Sequence, residues 1–209
     1  MDNDRLRELS LDFWNKTFQN SEYDYKKLAD KDWSVFIKNL KEEKVENVLD
    51  YGFGGGHWSI ILSRAGFNVT AYEISEVAIS NLINWTQEEG LTIKIVNDLI
   101  GNCDKFDCII CNSVIDHLVI EDAIKTLSFF KTNIKKNGIA YLSFDNEEDE
   151  DKHNYRDVKD GLRYYTSGIQ KGMIWKYYCN DDIKELCKDF VIESFITTKS
   201  GRRQIWLRN

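Results

Sequence analysis

Leu6, Leu9, Phe13 and Trp14 recur at helical spacing in the first twenty residues, and Trp33, Phe36, Ile37 and Leu40 repeat that spacing further on. Both segments read as amphipathic helices. From residue 46 the pattern changes. Short apolar runs over 46–50, 68–72, 92–96, 106–110 and 138–144 read as strands, and helical periodicity covers 57–65, 75–89 and 121–134. Strand and helix in alternation predict a parallel sheet with helices on both faces. After Phe144 the acidic run 145–151 reads as a solvated loop. An aromatic-rich segment follows, with Tyr155, Tyr164, Tyr165, Trp175, Tyr177 and Tyr178, then a helix near 181–188 and strands near 190–198 and 203–208. Gly201 between those strands marks an antiparallel hairpin. The expected fold is doubly wound α/β. It has a mostly parallel seven-stranded sheet, an antiparallel C-terminal hairpin and an N-terminal helical extension. Within one domain, 1–44 form a helical cap, 45–145 a ligand-binding core and 146–209 a substrate-side half.

The densest chemical signal lies where the first strand ends. Val48 and Leu49 lead into Asp50, and Gly52, Gly54, Gly55 and Gly56 follow. Glycines let backbone N–H groups approach a ligand, and the next helix aims its positive end at the same spot. A carboxylate two residues before the first glycine repels a pyrophosphate and attracts an ammonium, so a cationic ligand is the first inference. The dinucleotide fingerprint G-x-G-x-x-G fails here, because His57 stands where its last glycine belongs.

The D-x-G-x-G-x-G spacing of Asp50, Gly52, Gly54 and Gly56 resembles that of the class I, Rossmann-like S-adenosylmethionine-dependent methyltransferases of small-molecule type. The likeness runs over residues 46–145 and is looser beyond. It implies S-adenosylmethionine as cofactor, with no metal, and puts Asp50 at the methionyl amino end, with the loop against the carboxypropyl and ribose portions. Glu73, 21 residues after Gly52, would accept ribose hydroxyl hydrogen bonds, or else serve as a helix N-terminal charge. Ile74 would lie on the adenine, and Asp98 with the Leu99 backbone would bond its amino group, unless Asn97-Asp98 is a plain turn. Asn112 and Ser113 would line the cofactor edge. His117 would face the transferred methyl or the substrate, as the candidate base; outside the motif it reads as a helix-surface histidine. Lys135-Lys-Asn-Gly138 corresponds to the family's turn before strand five, without its proline.

The resemblance leaves the substrate wall to the parts outside the core sheet. Phe13, Trp14 and Phe18 of the first helix are expected there, Trp14 also reaching the cofactor, together with Tyr164 and Tyr165. Arg163 or Arg203 could pair with an anionic substrate group, and Tyr23 and Tyr25 could close over the cofactor. His57 and Trp58 occupy positions where the family varies, so their roles stay open. No Asn/Asp-Pro-Pro-Tyr/Phe follows strand four, which argues against amino methylation of nucleic acid or protein.

Composition narrows this further. A net charge of −7 over 209 residues argues against a nucleic-acid partner, and no apolar run reaches membrane-spanning length. Five cysteines at 103, 108, 111, 179 and 187 fit a reducing compartment, and the polar start of the chain suggests neither signal nor transit peptide, hence the cytoplasm. Cys108 and Cys111 fall on opposite faces of a strand and make a poor redox or zinc pair. The basic stretch 199–203 reads as a hairpin tip. The expected function is methyl transfer to an oxygen or nitrogen of a small molecule, by a monomer or homodimer. A nicotinamide-dependent oxidoreductase and a non-catalytic cofactor-binding scaffold are the alternatives.

Overall fold

The computed structural model describes residues 1–20, 25–99, 105–147 and 154–209; Tyr23, Cys103 and the end of the acidic run lie outside them. Three helices open the chain: α1 (Asn3–Gln19), α2 (Tyr25–Ala29) and α3 (Ser34–Glu42). The alternating core follows as β1 (Asn47–Tyr51), α4 (His57–Arg64), β2 (Asn68–Tyr72), α5 (Glu76–Glu89), β3 (Lys94–Val96) and β4 (Phe106–Asn112). A 3-10 turn, Ile115–His117, leads to α6 (Ile120–Asn133) and β5 (Ile134–Phe144). Local chemistry sets several of these ends. Asp2 caps α1 by accepting from the Arg5 N–H at 2.8 Å. Ser75 caps α5, which stops at Gly90 in the left-handed region at φ 64°.

The main sheet runs β3-β2-β1-β4-β5-β10-β9, with β9 (Val191–Thr197) and β10 (Arg203–Arg208) forming the expected antiparallel hairpin. The five strands β1 to β5 are parallel, and β10 joins β5 antiparallel. From β1 the chain builds outward to β3 and then crosses back to β4. Neighbouring strands therefore leave the sheet in opposite directions between β1 and β4, which opens a crevice at their carboxyl ends.

Both faces of the sheet are covered. Val48, Ala71, Cys108, Ile110 and Tyr141 pack with Leu40 of α3, Trp58 to Leu62 of α4 and Leu82 and Trp85 of α5. Leu49, Ile109, Cys111, Leu142 and Ile205 face Ala123, Leu127 and Phe130 of α6 and Ile183 of α7 (Asn180–Leu186). Cys108 and Cys111 thus belong to different layers. The run Cys108–Cys111 has no exposed side chain, as befits a central parallel strand buried on both sides. Shortening Ile109 to valine there should cost about 0.5–1.5 kcal/mol, read as a lower urea midpoint at unchanged slope.

Three features depart from expectation. β3 has three residues rather than five. β5 begins at Ile134, so the 135–138 turn is a kink inside the strand, with Asn137 at φ 64°. Part of the aromatic segment forms a second antiparallel sheet of β6 (Tyr155–Lys159), β7 (Leu162–Tyr165) and β8 (Ile174–Lys176). Strands of three to five residues are too short to display alternation, and aromatics at such spacing suit strand and loop equally. Among the described residues no helix is long and apolar enough to cross a membrane.

Candidate functional site

The glycine loop is stitched to β2 by the N–H groups of Gly52 and Phe53, both donating to the Tyr72 carbonyl at 2.8 and 3.2 Å. Gly52 and Gly56 take φ 68° and 78°. A Cβ on Gly52 would lie 2.6 Å from Val114, and one on Gly55 would lie 2.1 Å from the Tyr25 ring. The loop therefore needs glycine for close approach as well as for backbone conformation. Phe18 borders Gly54, and Tyr25 lies over Gly55 and stacks on His57 with centroids 6.1 Å apart. Of the two tyrosines expected to close over the cofactor, Tyr25 thus lies against the glycine loop.

Asp50 lies beneath the loop. It is 1% exposed and accepts a 2.6 Å hydrogen bond from the Ser59 hydroxyl of α4. Burial, more than that bond can offset, raises its pKa to about 7. Glu73, also buried, accepts from the N–H groups of Gly54 (3.0 Å), Ile74 (2.8 Å) and Ser75 (3.0 Å). It thereby ties the glycine loop to the start of α5, and burial still raises its pKa. Three bonds leave one of the roughly four lone-pair sites of a carboxylate for a ligand. The helix-end role and a ligand role coexist. Ile74 is 47% exposed beside it, and Asp98 and Leu99 follow β3, Asp98 close enough to influence Tyr72.

Across the crevice, Ser113 holds φ 54°, an uncommon conformation for a non-glycine residue. Its N–H donates to the Ser143 hydroxyl at 3.0 Å, which in turn donates to Asn112 Oδ1 at 3.0 Å. His117 is buried, with Nδ1 3.0 Å from the Ile174 carbonyl of β8 and its ring edge-on to Trp14 at 4.9 Å. A carbonyl can only accept, so Nδ1 carries a proton, and in the neutral tautomer of the ring the lone pair is on Nε2. Trp14 also stacks on Phe18, while Phe13 meets Trp14 edge-on.

Two residues escaped the sequence reading. Asp116 is 1% exposed; its Oδ2 accepts from the Asp145 N–H at 2.9 Å and its Oδ1 has no hydrogen-bond partner among the described residues. Burial raises its pKa, and the neighbouring His117 opposes the rise. The sequence offered it only as the acid preceding His117-Leu118 in the strand-four motif, without a role. Arg202 reaches in from the hairpin tip, with Nε 3.0 Å from Asp145 Oδ1 and Nη2 on the Ser113 hydroxyl. Donor atoms of Asp116, His117 and Asp145 lie within 4.8 Å of one another, and the Arg202 guanidinium borders that cluster through Asp145.

The two arginines singled out from sequence are otherwise engaged. Arg163 pairs with Glu147 at 2.6 Å and lies over the rings of Tyr155 and Trp175. Arg203 is 2% exposed and donates to the carbonyls of Tyr178 (2.9 Å) and Gly201 (3.1 Å). Tyr164 packs with Leu6, Val119 and Ile174, and Tyr165 is fully buried against Tyr155. Both sit on β7, one strand away from the carbonyl that holds His117. A cavity of about 580 Å³ lies elsewhere, between α6 and α7, and none of the crevice residues lines it.

A family model described as a methyltransferase domain matches residues 24–190. The glycine/sarcosine N-methyltransferase of Aphanothece halophytica is 31% identical over 156 residues, covering 71% of this chain and 53% of that protein. The ubiquinone biosynthesis O-methyltransferase of Rickettsia conorii is 32% identical over 99 residues, 46% of this chain and 34% of that protein. The chain thus spans about half the length, or less, of the curated relatives it matches. A S-adenosylmethionine-dependent methyltransferase from Clostridium acetobutylicum superposes with TM-score 0.69 at 18% identity, over 92% of this chain and 95% of that one. A 1,6-didemethyltoxoflavin-N1-methyltransferase from Burkholderia thailandensis, solved with S-adenosylhomocysteine, gives 0.71 at 15% identity, over 100% and 91%. At such identities the structures speak for the fold, the Rossmann-like one expected.

Proposed function

The chain belongs to the methyltransferase-domain family, and on that premise we propose that it transfers the methyl group of S-adenosylmethionine to an oxygen or nitrogen of a small molecule. The observation that carries this reading is Asp50, a buried carboxylate with no cation paired to it among the described residues, directly under a glycine loop closely packed by Val114, Phe18, Tyr25 and Leu82. An ammonium relieves that burial; a diphosphate aggravates it. Glu73 offers its remaining lone pair to a ribose hydroxyl, and Ile74, Asp98 and Leu99 border the adenine. Asn112 and Ser113 line the edge between the two halves of the crevice. The bound sulfonium supplies an electrophilic methyl carbon. The chain's own task is to hold the acceptor in line with it, and well-oriented groups reach effective molarities of roughly 10⁵–10⁸ M. His117 Nε2 takes the acceptor's proton when there is one to take. Trp14, Phe18 and Tyr25 keep water from the loop, and β7, with Tyr164 and Tyr165, backs the acceptor side.

The same reading takes 1–44 as a cap, 45–145 as the cofactor core and 146–209 as the acceptor side of one domain. It includes a cytoplasmic enzyme, a monomer or homodimer, acting on a small molecule rather than nucleic acid, in keeping with the net charge of −7. Calorimetric titration with S-adenosylhomocysteine and, separately, with NAD tests it. Micromolar uptake of the first and none of the second is expected; the reverse would sink the reading.

A further inference from the structure

We propose that Arg202 anchors a carboxylate on the methyl acceptor, an inference that rests on the methyl-transfer reading above and adds to it the class of substrate. The placement follows from strand alternation. Arg203, Ile205 and Leu207 of β10 point into the layer shared with α6 and α7, where they are buried. Trp206 packs with the opposite layer, the one holding Trp58 and Tyr141. Arg202, one residue before Arg203, turns the same way as Trp206, toward the crevice. The hairpin tip is held firmly enough to aim it. Arg203 is tied to two backbone carbonyls, and Gly201, at φ 82°, packs so closely that a Cβ would lie 2.4 Å from the Asn146 amide.

The guanidinium is oriented but not used up. Its Nε lies beside Asp145, without the alignment of a hydrogen bond, and its Nη2 donates to Ser113. One edge of the fork is therefore fixed by protein. The two Nη groups present the other edge, with Nη1 taking no partner among the described residues. That edge matches a carboxylate in bidentate fashion. Burial and the charge of Arg202 together lower the His57 pKa to about 4, so the imidazole nearby is neutral, and its buried Nδ1 has no hydrogen-bond partner among the described residues. Burial raises the pKa of the Tyr141 hydroxyl, and the same charge opposes that rise.

Arg202 thus stands apart from Asp50 and Glu73, although Asp145 and Asp116 share its side. Asp50 and Glu73 stand at the ends of β1 and β2, where a sulfonium and an ammonium belong. Arg202 stands on the β4–β5–β10 side with Ser113 and Asp145, where the acceptor enters. An acceptor carboxylate on Arg202 also fixes the nucleophile's direction, which is the main thing the protein must supply.

The test uses protein saturated with S-adenosylhomocysteine and two matched pairs of probes: 4-hydroxybenzoate with 4-hydroxybenzamide, and glycine with glycinamide. Each acid and its amide share a nucleophile and differ in charge. In the wild type at least one acid should bind tenfold or more tighter than its amide. Arg202→Met should erase that preference, Arg202→Lys should restore part of it, and affinity for S-adenosylhomocysteine should stay within twofold in both. Equal binding of acid and amide, or no binding of either acid, overturns the proposal. So does a preference that survives in Arg202→Met, or a fall in S-adenosylhomocysteine affinity in that variant, which would assign the guanidinium to the cofactor's own carboxylate. Failure of the wild type to take up S-adenosylhomocysteine at all would instead remove the methyl-transfer reading beneath it.

Discussion

Replacing His117 by alanine should lower the turnover of methyl transfer by about 10²–10⁴-fold while leaving affinity for S-adenosylhomocysteine within twofold. The magnitude is that of a positioned general base, and the geometry fits the role. The Ile174 carbonyl claims Nδ1–H at 3.0 Å, so in the neutral ring Nε2 is the nitrogen that can take a proton. Trp14 packs edge-on against the ring and limits its rotation. His117→Gln should not rescue, because an amide can hydrogen-bond but cannot take a proton. Turnover would be followed with radiolabelled S-adenosylmethionine and a small-metabolite extract as the acceptor pool. If both variants keep wild-type turnover, the acceptor loses no proton in the rate-limiting step, and His117 only buttresses β8. A loss confined to the Michaelis constant would make it a binding residue.

What the residues disclosed in advance follows from how far each signal reaches. The βαβ core was legible because strands β1, β2 and β4 are short runs with buried, largely apolar middles between strongly periodic helices. The glycine loop was legible because its chemistry is local: Asp50, Gly52, Gly54 and Gly56 lie within seven residues. Arg202 was not. It sits 57 positions beyond Asp145 and 89 beyond Ser113, and only the pairing of β10 with β5 brings the three together. Sequence spacing cannot distinguish it from Arg203, its neighbour, because alternation sends the two to opposite faces and nothing local says which face is the core. Arg163 illustrates the same blindness. Its charge is spent on Glu147 and two aromatic rings within a sheet whose strands were too short to recognise. Asp50 stood out as the distinctive acid, but the Ser59 hydroxyl beneath it belongs to the next helix face. Its burial, which gives it its force, appears only once α4 is packed.

That burial makes a quantitative expectation for ligand binding. In the unfolded chain Asp50 titrates near 3.8; in the unliganded fold it titrates near 7. Between these values the fold retains a proton that the unfolded chain has released. The contribution of this group to stability is therefore most favourable below pH 4, declines as pH rises to about 7, and is constant above, a loss on the order of 4 kcal/mol for a shift of this size. A ligand ammonium reverses the balance by favouring the carboxylate. Binding must then expel the proton wherever the free protein still holds it. Affinity for S-adenosylhomocysteine should be about tenfold higher at pH 8 than at pH 6, with about half a proton released per site at pH 7, measurable by calorimetry in buffers of differing ionisation enthalpy. Asp50→Asn keeps the size and the contact with Ser59 but removes the charge. It should abolish the pH dependence between 6 and 8 and weaken binding by roughly 10²–10³-fold, the scale of about 3–5 kcal/mol for losing one partner of a buried ion pair. It should also leave the unliganded protein at least as stable as wild type at pH 8, since the uncompensated charge is gone. Unchanged affinity with a flat pH profile would mean that Asp50 serves only to hold α4 through Ser59, and the cationic-ligand argument would lose its footing.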